Sequence, residues 1–113
     1  MTLPWRIAII DDERSVRSGL SNLLQSEGYA TDTFDSAEVF LSHPLALSGA
    51  SLVIADIKLR GMNGIELARA ARALQPNIHI VIISGYGEFE YAQGAIQAGV
   101  DDYLLKPVSI TKI

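Results

Sequence analysis

The chain has 113 residues, 49% hydrophobic and 19% charged, with nine Lys and Arg against thirteen Asp and Glu. That is one domain's length, apolar enough to bury a core and too apolar for a disordered chain. The net charge of -4, with Arg14, Arg17, Arg69 and Arg72 standing singly, argues against electrostatic binding to nucleic acid or an anionic membrane. The absence of cysteine removes a disulfide framework, a Cys-zinc site and thiol catalysis. His43 and His79 are too few for a histidine-rich transition-metal site. The opening segment Met1 to Arg6 lacks a charged leader region, and the longest apolar runs are four residues. Neither a secretory leader nor a membrane span is expected, so the cytoplasm is the expected location.

Short apolar segments recur along the chain. Ile7 to Ile10 is followed by the weaker Ala30 to Phe34, then Leu52 to Ala55, Ile78 to Ile83, and Tyr103 to Leu105. Most are continuous rather than alternating, as in parallel strands covered on both faces. Between them run helical spacings. Val16, Leu20, Leu23 and Leu24 form the first stripe, stopped by Gly28. Asp35-Ser36-Ala37-Glu38 reads as a helix start with Glu38 as capping-box partner, ending before Pro44. Pro44 to Ser51 is expected to be a surface loop. Ile65, Ala68 and Ala71 (or Leu67, Ala71 and Leu74) mark a third helix closed by Pro76. Phe89, Ala92, Ala95 and Ile96 mark a fourth, stopped by Gly99. The alternation predicts a three-layer α/β sandwich around a five-stranded parallel sheet. After Lys106-Pro107 only six residues remain, so a fifth helix is expected to be short or cut, and the chain to be a fragment.

Parallel α/β sheets bind ligands at the carboxyl ends of their strands. Asp11 and Asp12 end the first predicted strand, Asp56 the third, Ser84 the fourth and Lys106 the fifth. Each alone reads as a turn, cap or surface residue, and Asp12 also as the cap of the first helix. Their joint placement favours a site. Three carboxylates brought together repel unless a cation lies between them, and an all-oxygen set suits a hard ion such as magnesium. A carboxylate can attack phosphorus to form an acyl phosphate, with a metal, a hydroxyl and an ammonium offsetting the phosphoryl charge. Asp56 is the expected nucleophile, Asp11 and Asp12 metal ligands, Ser84 the hydroxyl and Lys106 the ammonium.

These residues carry a resemblance over nearly the whole chain. Ile10-Asp11-Asp12-Glu13, Asp56 through Gly64, Ile83-Ser84-Gly85-Tyr86 and Gly99 through Pro107 resemble, in order, the receiver domain of two-component response regulators. The resemblance implies a flavodoxin-like doubly wound sheet of order 2-1-3-4-5 and a single receiver domain over residues 1–113, at the N-terminus of a longer regulator. It implies magnesium held by Asp11, Asp12 and Asp56, with a carbonyl from Lys58. It further implies that Asp56 takes a phosphoryl group from a cognate histidine kinase and loses it slowly. Ser84 would carry the signalling hydroxyl, Lys106 the paired ammonium, and Tyr103 the inward-turning aromatic switch. A cis bond before Pro107 would let Lys106 point inward. Lys58, Gly85 and Tyr86 match positions that modulate phosphate lifetime. One departure stands out, Arg60, where the family usually has proline.

The implied consequence is a reshaped face formed by the predicted fourth helix, the fifth strand and the fifth helix, a surface for homodimer formation. That face would control an output domain, with Gly85 to Ala92 and Tyr103 to Val108 resembling the branch with an AraC-type helix-turn-helix output and Ser36 to Leu41 resembling branches joined to other DNA-binding outputs. The receiver itself would touch neither DNA nor membrane. The alternatives are a stand-alone receiver acting by protein contact, a phosphatase-like enzyme with a carboxylate nucleophile, and a flavin-binding module. Lys58 replaces the acid that the phosphatase reading wants two residues after the nucleophile. The acids after the first strand would repel the flavin phosphate.

Overall fold

A computed structural model describes residues 5–85, 94 and 97–105. The elements in chain order are β1 (Arg6–Ile10), α1 (Arg14–Ser26), β2 (Ala30–Phe34), α2 (Ala37–Leu41), α3 (Pro44–Gly49), β3 (Leu52–Asp56), α4 (Gly64–Leu74), β4 (His79–Ser84) and β5 (Asp102–Leu105). The strands form one sheet of order β2-β1-β3-β4-β5, parallel at every pairing. This is the doubly wound, flavodoxin-like arrangement expected from the sequence. A predicted fifth helix, short or cut, lies outside the described residues, as does most of the stretch from Phe89 to Ile96.

Continuous apolar strands follow from burial on both faces. Along β1, Ile7 and Ile9 join Leu20, Leu24, Ile54 and Ile83 on one face. Ala8 and Ile10 face the other way, with Phe40, Val53, Ala55, Leu67, Ala68, Ala71, Ile80 and Ile82. Alternation is present in the backbone but hidden in the sequence, because both sides are core. Small residues on α4, Ala68 and Ala71, are fully buried and let that helix approach the sheet closely.

Helix ends show which local signals operate. Gly28, at φ 95°, stops α1: its N–H donates to the Gln25 carbonyl while that of Tyr29 donates to Leu24, closing a Schellman motif. Gly99, at φ 80°, makes a similar left-handed stop before β5. Pro44 to Ser51 corrects the expected surface loop. Pro44 opens the helix α3, where a first-turn proline loses no intrahelical bond, and Leu47 and Ala50 are buried. Glu38 corrects the expected capping box. The Ser36 hydroxyl accepts from Val39 N–H, but a box partner must stand at position 39, one residue beyond Glu38. At the β2 edge, Arg6 donates two hydrogen bonds to Asp32, which raise the guanidinium pKa further above its ordinary value.

Gly64 sets how closely α4 meets β3. A Cβ there would lie 2.5 Å from the Asp56 carbonyl oxygen and 3.0 Å from Ile57 Cα, whereas one at Gly19 on α1 meets nothing within 4 Å. Gly64→Ala is therefore expected to destabilise by about 1–3 kcal/mol. Gly19→Ala, inside an exposed helix face, should stabilise by roughly 0.5–1 kcal/mol. Urea unfolding of the two variants beside the wild type checks both signs.

Candidate functional site

All five strands run the same way, so the loops after their carboxyl ends gather at one edge of the sheet. β1 and β3 are adjacent there, the point from which the strand order runs outward in both directions, and this is where a crevice opens in such folds. Asp11 follows β1 directly and Asp56 is the last residue of β3. Asp11, Asp12 and Asp56 each offer a carboxylate oxygen, and these atoms lie within 4.8 Å of one another. Asp11 and Asp56 are buried, while Asp12 is half-buried.

Backbone donors hold the buried acids in place. Glu13 N–H donates to Asp11 Oδ1 at 2.9 Å, and Lys58 N–H donates to Asp56 Oδ1 at 3.1 Å. Each carboxylate thus turns back on its own loop two residues ahead, a local geometry natural to aspartate. Asp12 is not the helix cap. Glu13 occupies the N-cap position of α1 and makes no side-chain cap bond, while its own N–H is taken by the Asp11 carboxylate. Arg17 fixes the same loop from α1, donating to the Asp11 carbonyl at 2.7 Å.

The loop after Asp56 is clasped at its far end. Asn63 and Glu66 form a complete capping box at the start of α4, each side chain accepting the other's backbone N–H. Gly61 takes φ 74°, and the Glu38 carboxylate of α2 sits against it while accepting Met62 N–H at 3.1 Å. Arg17, Glu38 and the Asn63 box were not among the site residues expected from the sequence. The Asn63-x-x-Glu66 spacing is a readable signal, whereas the Glu38 contact spans 24 residues and has none.

The other predicted site residues divide between described and undescribed chain. Ser84 ends β4, one residue past Ile83, the register partner of Asp56. It is fully buried, and its Oγ has no hydrogen-bond partner among the described residues. A buried hydroxyl in that state is costly unless something else satisfies it. Tyr103 pairs with Ile82, so pleating puts it on the same sheet face as Ser84, and it is half-buried against the larger core cluster. Lys58 is exposed and Gly85 half-buried. Tyr86, Lys106 and Pro107 lie outside the described residues.

The donor set fits a hard divalent cation. It supplies three carboxylates and no thiolate or imidazole, and two of the three acids are withdrawn from solvent. Such a cation would offset the negative charge that the three acids bring together. No helix among the described residues is long and apolar enough to cross a membrane.

Comparison with known proteins agrees with this geometry. The family described as response regulator receiver domain matches residues 7–113. An uncharacterized transcriptional regulatory protein of Bacillus subtilis, YesN, is 33% identical over 96% of this chain and 30% of its own length. The transcriptional regulatory protein FixJ of Bradyrhizobium diazoefficiens is 38% identical over 95% of this chain and 52% of its own. This chain therefore spans about half or less of those relatives. The crystal structure of FixJ-N superposes with a TM-score of 0.84 at 32% identity, covering 96% of this chain and 86% of that one. With that sheet order, the acids at its carboxyl edge and a family match over nearly the whole length, the chain belongs to the response regulator receiver domain family.

Proposed function

We propose that this domain is a phosphorylation-dependent signalling switch whose phosphoryl acceptor is Asp56. One observation carries the reading: Asp11, Asp12 and Asp56 converge within 4.8 Å at the carboxyl ends of β1 and β3. Phosphoryl transfer needs an anionic oxygen nucleophile and a means of offsetting charge on the transferring group. Asp56 supplies the first from a buried position held by Lys58 N–H. In the step, a carboxylate oxygen of Asp56 forms a bond to phosphorus as the bond to the donor breaks. When the donor is the phosphohistidine of a cognate kinase, the imidazole leaves with that electron pair. Magnesium, held by Asp11, Asp12 and Asp56 with the Lys58 carbonyl, would neutralise the phosphoryl oxygens.

The buried Ser84 hydroxyl, without a hydrogen-bond partner among the described residues, is well suited to donate to a phosphoryl oxygen. Lys106 would supply the ammonium, with Pro107 after it to set its direction. Movement of Ser84 would make room for Tyr103, which shares its sheet face, to turn inward. Such a shift selects among states already present, and the acyl phosphate favours one of them. Gly85 leaves the acyl phosphate open to water, while Lys58 and Tyr86 would set its lifetime. The reshaped face around β5 would control an output domain in a longer chain, in keeping with relatives that are about twice as long or more. A transcriptional output, a homodimer through that face and a cytoplasmic location complete the reading.

Intact mass after incubation with acetyl phosphate tests the chemistry. The expected result is the gain of one phosphoryl group that requires magnesium and disappears in Asp56→Asn. A gain retained in Asp56→Asn, or unaffected by chelation, would overturn the assignment. Ser84→Ala should still accept the group, because its hydroxyl is not the nucleophile, but should lose the change around Tyr103 that near-UV circular dichroism reports.

A further inference from the structure

Arg60 lies between the phosphoacceptor strand and the clasp on α2. It is almost wholly exposed, yet its Nε stands 3.8 Å from Asp12 Oδ2, the least buried oxygen donor of the acidic cluster. Two features aim it there. Gly61 turns the chain immediately after Arg60 through a left-handed φ of 74°, and Glu38 holds the next residue by accepting Met62 N–H. The β3–α4 loop is thus fixed on its α2 side and reaches across to the β1–α1 loop through one guanidinium. The contact is too long for a hydrogen bond and is a charge pairing in solvent.

We propose that Arg60 is an intramolecular counter-ion of the acidic cluster, held by Asp12 in the cation-free domain and displaced when a divalent cation binds. This rests on the reading that Asp11, Asp12 and Asp56 take such a cation. Asp12 cannot give full charge to both partners, so the guanidinium weakens cation binding by whatever it contributes to the cation-free state. Arg60 is then a determinant of cation affinity, and cation loading releases one loop of the site from the other.

Isothermal titration with magnesium chloride, read as affinity with no phosphoryl donor present, tests the inference. At about 20 mM salt Arg60→Gln should bind magnesium roughly two- to fivefold more tightly than the wild type, the range of an exposed ion pair. The difference should close near about 0.5 M potassium chloride, where charges are screened within a few ångström. Arg14→Gln is the control: Arg14 is exposed on the first turn of α1 and forms no ion pair among the described residues. It should move the affinity by less than half as much. Unchanged or weaker binding in Arg60→Gln, or an equal effect in Arg14→Gln, overturns the counter-ion role while leaving the cation site standing. If the wild type binds no more magnesium than Asp12→Asn, the cation reading itself fails, and the role of Arg60 with it.

Discussion

Three carboxylates at one end of a sheet are the constraint around which the rest of this domain is arranged. At separations near 5 Å two full negative charges repel by roughly 1 kcal/mol in water and several times that in a partly shielded site. Two of the three acids are also buried, which adds the cost of removing charge from solvent. The fold meets this repulsion with backbone donors, Glu13 N–H for Asp11 and Lys58 N–H for Asp56, and with a distant guanidinium for Asp12. Those contacts restrain the acids. The cluster is an all-oxygen set that suits a hard divalent cation.

The scaffold beneath the cluster is stiff where the chemistry needs it. β1, β3 and β4 are buried on both faces, so the backbone at Asp11, Asp56 and Ser84 is fixed by core on two sides. Gly64 lets α4 begin directly under the Asp56 carbonyl, and the Asn63 box anchors the helix start that closes the loop. Glu38 clasps the same loop from α2. At the opposite edge of the sheet the Asp101 carboxylate takes Ile80 N–H at 2.6 Å and pairs with Arg72 of α4, tying β4, β5 and α4 together.

Much of this was legible in the amino-acid sequence, for reasons that differ by residue. Unbroken runs such as Ile7 to Ile10 reveal a doubly covered sheet, and Gly28 reveals a helix end because only a left-handed residue completes the Schellman bonds. Asp11, Asp12 and Asp56 stood out because each sits where an apolar run stops. The failures were local conflicts resolved by packing. Pro44 reads equally as a stop or as a first helical residue, and burial of Leu47 decides for the helix. Glu38 reads as a local cap, but a peptide N–H 24 residues away takes it. Arg60 reads as a missing proline, and only the fold shows its charge facing Asp12.

Thermal unfolding of the wild type and Asp12→Asn, in chelator and then in excess magnesium, measures the crowding of charge most directly. Removing one charge should raise the melting temperature in chelator by about 4 °C or more, the effect of roughly 1 kcal/mol in a domain of this size. Magnesium should then stabilise the wild type and have little effect on the variant. A variant that melts below the wild type in chelator, with both proteins equally responsive to magnesium, would contradict the account.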